Sequence, residues 1–305
     1  MTIVFTVLFI LLFITLLFFG ILHLGFRAPR NIQTKTPKDF GFDFQEAMIP
    51  SVSGKKLHSW LLIVKDSSEA IGHSSETIRH SNETIIILHG WGGNTELMMP
   101  LAAPFYQAGM NVLLIDSRSH GKSDSATFSS LPRFAEDLGM SIDWLKKQHP
   151  SLSENIAVLG HSVGAGAALF ATSKRNDISA VISISAFAHA QWMMTRYLSS
   201  FHLPTLLIRL ILRYVQWLIG HSFTTFAPLH TVCDIDAPIL IVHGKDDTTI
   251  PVEDAHAIMG NCPKPHLELL EIDDAGHESV DKIEEHSDEL VTFLKKAGFM
   301  ALVTR

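Results

Sequence analysis

Eight short apolar runs, separated by longer helical patterns, limit the folds open to this 305-residue chain. Most of the central runs are apolar without alternation, as in parallel strands that are covered on both faces. The first two runs are joined through Ser53-Gly54 and indicate an antiparallel hairpin. Such alternation predicts an α/β fold, a doubly wound and mostly parallel eight-stranded sheet. The predicted strands are Phe44–Met48, Leu57–Val64, Thr84–Leu88, Val112–Asp116, Ile156–Leu159, Ala180–Ser185, Ile239–Val242 and Leu267–Ile272.

The N-terminal segment has a different character, because residues 1–26 contain no Asp, Glu, Lys or Arg. A helix over Ile3–Leu22 would be about 30 Å long, which matches the hydrocarbon thickness of a bilayer. We therefore predict a transmembrane anchor over 1–26 that meets the membrane through residues 3–22. A cleaved signal peptide is the alternative, but there is no basic segment before the run and no small-x-small cleavage site after it.

Four basic residues follow the apolar span: Arg27, Arg30, Lys35 and Lys38. Because positive charge collects on the cytoplasmic side, this pattern predicts a single-pass membrane protein whose large domain is cytoplasmic. The segment 27–43 is predicted to be a juxtamembrane linker, and 44–300 the α/β domain. The stretch 66–82, rich in Ser, Glu and His, is predicted to be a solvated surface loop.

One segment is extra to the strand–helix alternation and is predicted to be a helical cap at about 187–233. From Ile178 to Cys233 there is no acidic residue. Within Leu203–Gly220, the polar residues form one narrow stripe on an otherwise apolar helix. Two interpretations stay open: the apolar surface is buried between cap helices, or it meets lipid or admits an acyl chain.

A candidate nucleophile lies between a predicted strand and a predicted helix. The sequence 160–164, Gly-His-Ser-Val-Gly, follows the apolar strand Ile156–Leu159 and precedes an alanine-rich helical stretch. Gly-x-Ser-x-Gly at such a turn lifts the serine oxygen clear of the sheet. The following helix N-terminus also favours negative charge. Ser162 is therefore the candidate nucleophile.

A serine hydroxyl needs a base and a group that orients the base. The predicted strand at 239–242 leads into two adjacent carboxylates, Asp246 and Asp247. The strand at 267–272 leads into His277, just before the last helical window. Because open α/β sheets place their sites at the carboxyl ends of strands, we expect Ser162, His277 and one of these carboxylates to meet.

With these features the chain resembles the α/β-hydrolase superfamily over about 44–297. The resemblance includes His-Gly-x-x-Gly at 89–93 and Gly-His at 276–277. It also includes Asp-x-Arg-Gly-His-Gly-x-Ser at 116–123, where Ser119 replaces the glycine. A fourth motif, His-Gly-x-x-Asp-x-x-Ile-Pro at 243–251, aligns Asp247 rather than Asp246 with the family's acid.

The resemblance implies a catalytic triad in which Ser162 attacks an acyl carbon, His277 moves the proton and Asp247 orients the imidazole. It also implies an oxyanion hole made by the backbone N–H groups of Trp91 and Val163. The predicted function is a membrane-anchored serine hydrolase that cleaves an ester, thioester or amide through an acyl-enzyme. A carboxylesterase or lipase-type acyl hydrolase is expected, without a cofactor.

Two other functions stay open: a serine peptidase of the aminopeptidase type, and a hydrolase-fold binding protein without turnover. We expect a small acyl substrate, with lipids among the candidates, and a pocket around Met193, Leu206, Leu210 and Trp217. The net charge of −7, without a basic cluster, argues against a nucleic-acid partner. The 17 histidines are scattered without metal-ligand spacing, so no metal is expected. No prediction is made about oligomeric state.

Overall fold

Eight strands form one sheet in a computed structural model of the chain, which describes residues 2–64 and 81–299. The strand order is β1-β2-β4-β3-β5-β6-β7-β8, and only β2 runs antiparallel to its neighbours. The predicted eight-stranded, mostly parallel sheet is therefore confirmed. The strands are β1 Gln45–Pro50, β2 Lys56–Leu62, β3 Glu83–Leu88, β4 Asn111–Ile115, β5 Asn155–His161, β6 Ala180–Ile184, β7 Ile239–Gly244 and β8 Leu267–Ile272. The predicted loop 66–82 lies almost entirely outside the described residues.

The central strands are apolar throughout because helices cover both faces of the sheet. On β3, Ile86 and Leu88 enter one hydrophobic core, whereas Ile85 and Ile87 enter the other. The first core is completed by α3 Leu131–Gln148, α4 Val163–Thr172 and α8 Glu253–Asn261. The second is completed by α2 Met99–Gln107, α9 Val280–Glu285 and α10 Ser287–Lys296. This three-layer arrangement is the predicted doubly wound fold.

A helical insertion separates β6 from β7 at the carboxyl end of the sheet. It contains α5 Ala190–Ser199, α6 Thr205–Ile219 and the short α7 Pro228–Thr231. These helices lie within the range predicted for the cap. Helix α6 buries one side against the core, through Ile208, Ile211, Leu212 and Val215.

The N-terminal helix α1 runs from Thr2 to Gly25. It is long and apolar enough to cross a membrane, and none of its most apolar stretch is buried inside the protein. Its last turns approach the α/β domain, where the ring of Phe19 lies 4.7 Å from that of Tyr214 on α6. Phe18, Leu22 and Phe26 pack against the first core. The C-terminal part of α1 therefore packs against the α/β domain.

Candidate active site

Ser162 lies at a sharp turn between β5 and α4. Its backbone has φ 55° and ψ −118°, a conformation that is strained for any residue with a Cβ. A Cβ at Gly160 would lie 2.2 Å from the carbonyl oxygen of Gly164, and one at Gly164 would lie 2.4 Å from that of His89. The turn therefore needs both glycines. The N–H of Ser162 donates to the carbonyl of Ile184 at 2.8 Å, which ties the turn to β6.

The structure brings Ser162, His277 and Asp247 into one hydrogen-bonded chain. Nε2 of His277 lies 2.9 Å from Oγ of Ser162, and Nδ1 of His277 lies 2.7 Å from Oδ2 of Asp247. The other oxygen of Asp247 accepts hydrogen bonds from the N–H groups of Thr249 at 2.9 Å and Ile250 at 2.7 Å. The arrangement is that of a nucleophile, a base and a carboxylate that orients the base.

Asp246, the second sequence candidate for the acid, does not join this chain. Its side chain is exposed, and its N–H donates to the carbonyl of Ala275 at 3.0 Å. The side chain of Asp247 is fully buried. The geometry therefore distinguishes between the two adjacent carboxylates, in favour of Asp247.

The buried environment of Asp247 keeps it ionised. Burial by itself would raise the pKa of its carboxyl, but the hydrogen bonds from His277 and from the Ile250 N–H outweigh that effect and hold the pKa below its usual range. Because an ionised carboxylate only accepts hydrogen bonds, Nδ1 of His277 carries the proton in that bond. The lone pair of Nε2 then faces the hydroxyl of Ser162, as a general base requires.

His161, inside the serine turn, supports the site in a way that the sequence did not reveal. Its Nε2 lies 2.8 Å from the carbonyl oxygen of His277, which can only accept, so Nε2 is the donor. Burial, reinforced by repulsion from His277, lowers the pKa of His161. A neutral His161 thus holds the main chain of His277 next to Ser162.

The turn at 89–93 lies against the nucleophile. A Cβ on Gly90 would lie 3.2 Å from Cβ of Ser162, so the next peptide group, whose N–H belongs to Trp91, is beside the serine. His89 braces the turn: its Nδ1 lies 2.7 Å from the carbonyl of Gly90 and its Nε2 accepts from the N–H of Ser117 at 3.1 Å. Among the described residues, no hydrogen bond engages the N–H of Trp91.

Val163 is the first residue of α4. The first N–H groups of an α-helix have no partner within the helix and attract negative charge. Its N–H and that of Trp91 stay the predicted donors of an oxyanion hole.

A segment close to α1 holds the turn at 89–93 from the other side. The side chain of Asn31 donates to the carbonyl of Gly92 at 2.8 Å, and the side chain of Asn94 donates back to the carbonyl of Asn31 at 3.0 Å. A Cβ at Gly92 would lie 2.9 Å from Cγ of Pro29. We call residues 29–33 the juxtamembrane strap. No sequence motif marks these contacts, because Gly92 and Asn94 lie about sixty residues further along the chain.

Ser119, which replaces a glycine of the family motif, adopts the backbone conformation that favours glycine, with φ 70°. Its hydroxyl accepts from the N–H of Ala126 at 2.8 Å, and its N–H donates to the carbonyl of Asp124 at 2.9 Å. These bonds offset the backbone strain. They help to hold the loop at 116–123 in this conformation.

The residues predicted to line a substrate pocket are Met193, Leu206, Leu210 and Trp217, and three of these four are largely exposed. Leu206, Leu210 and Trp217 are 69%, 56% and 76% exposed, so they do not line an enclosed pocket. They lie on the opposite side of α6 from the residues that pack on the core. Met193 is half-buried and packs against the core. Within the described residues, no group of three or more His, Cys, Asp or Glu side chains is arranged to hold a metal ion.

A known protein family matches about half of the chain. Residues 79–233 match the sequence model of the family described as "Serine aminopeptidase, S33". The chain belongs to this family. The match includes the turn at 89–93, the Ser162 turn and the cap helices α5 and α6.

Known structures and curated relatives extend the comparison. An esterase from Pyrococcus furiosus, Pf2001, is 26% identical with a TM-score of 0.68, over 88% of this chain and 98% of that one. A serine hydrolase from Xanthomonas campestris, described as lacking a lid, shares the fold at 16% identity, with a TM-score of 0.59 over 83% of this chain and 94% of that one. The predicted α/β-hydrolase family is thus confirmed.

Protein bem46 of Schizosaccharomyces pombe is 29% identical over 162 residues, which are 52% of this chain and 50% of the relative. YqkD of Bacillus subtilis is also 29% identical, over 55% of this chain and 56% of the relative. The chain therefore spans about half the length of these two curated relatives.

Proposed function

We propose that the chain is a membrane-anchored serine hydrolase that cleaves carboxylic esters through Ser162, His277 and Asp247. The hydrogen-bonded chain from Asp247 through His277 to a backbone-strained Ser162 carries this proposal. An isolated serine is a poor nucleophile at neutral pH, and this arrangement provides the base that activates it.

The proposed reaction has two acyl-transfer steps. His277 takes the proton of Ser162 as Oγ attacks the acyl carbon. It then gives this proton to the alcohol, which departs, and the acyl group stays bound to Ser162 as an acyl-enzyme. Water, deprotonated by His277, releases the acid and restores Ser162. The N–H groups of Trp91 and Val163 stabilise the oxyanion in both steps, and one such donor is worth about 3 kcal/mol of transition-state stabilisation.

The charge of the cap supports an ester rather than an aminoacyl amide. An aminopeptidase substrate carries a free ammonium group, which is costly to bury without a carboxylate partner. The segment 178–233 has no acidic residue, and the buried Asp254 beside it is already bound to Arg196, at 2.9 and 3.0 Å. The esterase name of the Pyrococcus structure also supports this choice.

A serine aminopeptidase is the second candidate, favoured by the description of the matched family. The two activities differ in which substrates are turned over. We expect short p-nitrophenyl esters to be hydrolysed much faster than aminoacyl p-nitroanilides. The reverse order would favour the peptidase.

Removal of the nucleophile tests the triad directly. We expect Ser162→Ala to abolish both ester hydrolysis and labelling by a fluorophosphonate probe. Ser200→Ala, at an exposed serine on the cap, is the matched control and should leave both unchanged. Equal labelling of Ser162→Ala and the wild type would disprove the mechanism.

We further propose that α1 anchors the protein in a membrane through residues 3–22, with the α/β domain in the cytoplasm. The absence of charge in 1–26 and the basic residues that follow support this topology. The protein should stay in the membrane pellet at alkaline pH in carbonate, at its full-length mass. A soluble product that lacks α1 would instead indicate a cleaved signal sequence.

A further inference from the structure

The helices of the cap and the turn between them expose several large apolar side chains. Six of them are between 42% and 76% exposed, and we call them the cap face: Trp192, Tyr197, Phe201, Leu206, Leu210 and Trp217. They come from α5, α6 and the turn between these helices. An apolar surface of this kind on a folded domain indicates a place where it meets a partner or a membrane.

The charge of the same surface is positive. Arg209 and Arg213 are exposed on α6 among the apolar residues, and the segment 178–233 contains no carboxylate to neutralise them. A helix that presents Leu and Trp together with Arg has the composition of helices that lie in a membrane interface. The arginines would interact with anionic headgroups while the apolar side chains enter the acyl boundary.

The contact between α1 and α6 determines where α6 lies relative to the membrane. Phe19 lies six residues before the end of α1, which corresponds to about 9 Å along the helix axis. Its ring is 4.7 Å from that of Tyr214, and the ring of Tyr214 is 5.8 Å from that of Trp217. When residues 3–22 of α1 span the hydrocarbon layer of the membrane, α6 therefore lies at the edge of that layer.

The space between α1 and α6 is also apolar. An open groove of about 580 Å³ lies there, lined by Tyr214 and by one side of α1 between Leu16 and Leu24. In water this groove would expose both walls to solvent. Acyl chains of the surrounding lipid would fill it.

We infer that the cap face is a second membrane-contact surface, which inserts into the headgroup region of the leaflet where α1 ends and prefers anionic lipid. This inference rests on the proposed anchoring of α1. The partner of the cap face is then a lipid surface, not a second copy of the chain or another protein.

The test uses the full chain reconstituted in vesicles of phosphatidylcholine and phosphatidylserine, with acyl chains brominated close to the headgroup. Bromine quenches tryptophan fluorescence at short range. We expect strong quenching of the wild-type emission, most of which is lost in Trp192→Phe/Trp217→Phe, since these are the two tryptophans of the cap face. Trp144→Phe, at a half-buried residue of α3 outside the cap, is the control and should keep the quenching.

The charge is tested separately. Arg209→Gln/Arg213→Gln should quench as the wild type does in phosphatidylcholine alone, but should lose the additional quenching that phosphatidylserine gives. Equal quenching in Trp192→Phe/Trp217→Phe and the wild type would overturn the inference, provided that the protein still resists carbonate extraction. If carbonate releases the protein instead, the anchor itself is wrong, and this inference is wrong with it.

Discussion

The substitution Asp247→Asn tests the orientation of the catalytic histidine. In the structure, one carboxylate oxygen accepts from the N–H groups of Thr249 and Ile250, and the other accepts from Nδ1 of His277 at 2.7 Å. An asparagine can keep the first two bonds through its amide oxygen. Its NH2 group then faces Nδ1 of His277 and can only donate to it. Nδ1 must therefore be the acceptor, which places the imidazole proton on Nε2. That proton points at Ser162, and the general base is lost.

The size of the effect follows from this geometry. Because the tautomer changes and the position of His277 does not, we expect kcat to fall by about 10⁴. At about 1.4 kcal/mol for each factor of ten, this is a loss of about 5 kcal/mol of transition-state stabilisation. The fold should lose only about 1 kcal/mol, because one charge-assisted hydrogen bond becomes a neutral one.

The assay is the hydrolysis of p-nitrophenyl acetate, measured together with thermal unfolding. Asp246→Asn is a closely matched control, since it makes the same chemical change one residue away on an exposed side chain. It should leave kcat/KM and the melting temperature unchanged. The reasoning is refuted if Asp247→Asn keeps its activity within about tenfold of the wild type, or if Asp246→Asn loses as much as Asp247→Asn.

Two further predictions concern stability. Gly164→Ala would place a Cβ 2.4 Å from the carbonyl oxygen of His89, so we expect the free energy of unfolding, measured in thermal melts, to fall by about 1–3 kcal/mol. Gly260→Ala, whose Cβ would meet nothing within 4 Å, should be neutral or stabilising. Equal melting temperatures of the two variants would contradict this prediction. The hydrogen bonds from Arg175 hold the pKa of Asp177 well below its usual range. The contribution of Asp177 to the free energy of unfolding is therefore present above pH about 4, and it is lost as the pH falls through the pKa of Asp177 in the folded state. Asp177→Asn should therefore lower the melting temperature at pH 7, with a difference that shrinks in acid; a constant difference would rule out this origin.

The sheet was predictable because burial on both faces leaves a simple pattern. The run Thr84–Leu88 is apolar almost without interruption, and β3 occupies it because helices cover both of its sides. The site was predictable for a related reason. Ser162 and His277 both follow strand ends, and parallel strands bring their carboxyl ends to one edge.

The orientation of the cap helix was not predictable from its sequence. Periodicity shows that Leu206, Leu210 and Trp217 share one side of α6, but both sides of this helix are apolar. Which side is buried depends on what the rest of the chain places beside it. The sequence pattern therefore could not distinguish a pocket wall from an exposed side of the helix.

Two supports of the site were also missed. The hydrogen bond from His161 to the carbonyl of His277 and the bond from Asn31 to Gly92 join positions far apart in the chain. Each depends on a backbone oxygen, which every residue has, so no residue type marks the acceptor. Only the three-dimensional structure reveals such contacts.

The juxtamembrane strap limits where the enzyme can work. Three residues lie between the end of α1 at Gly25 and Pro29, and the four residue steps span at most about 14 Å even when fully extended. Pro29 and Asn31 contact Gly92, within the turn at 89–93 that lies against Ser162. With α1 in a bilayer, the segment between α1 and the α/β domain is too short to let the domain move away from the membrane surface. Hydrolysis would then be confined to a thin layer at its own membrane, where the enzyme acts in cis and cannot reach a substrate held on an opposing membrane.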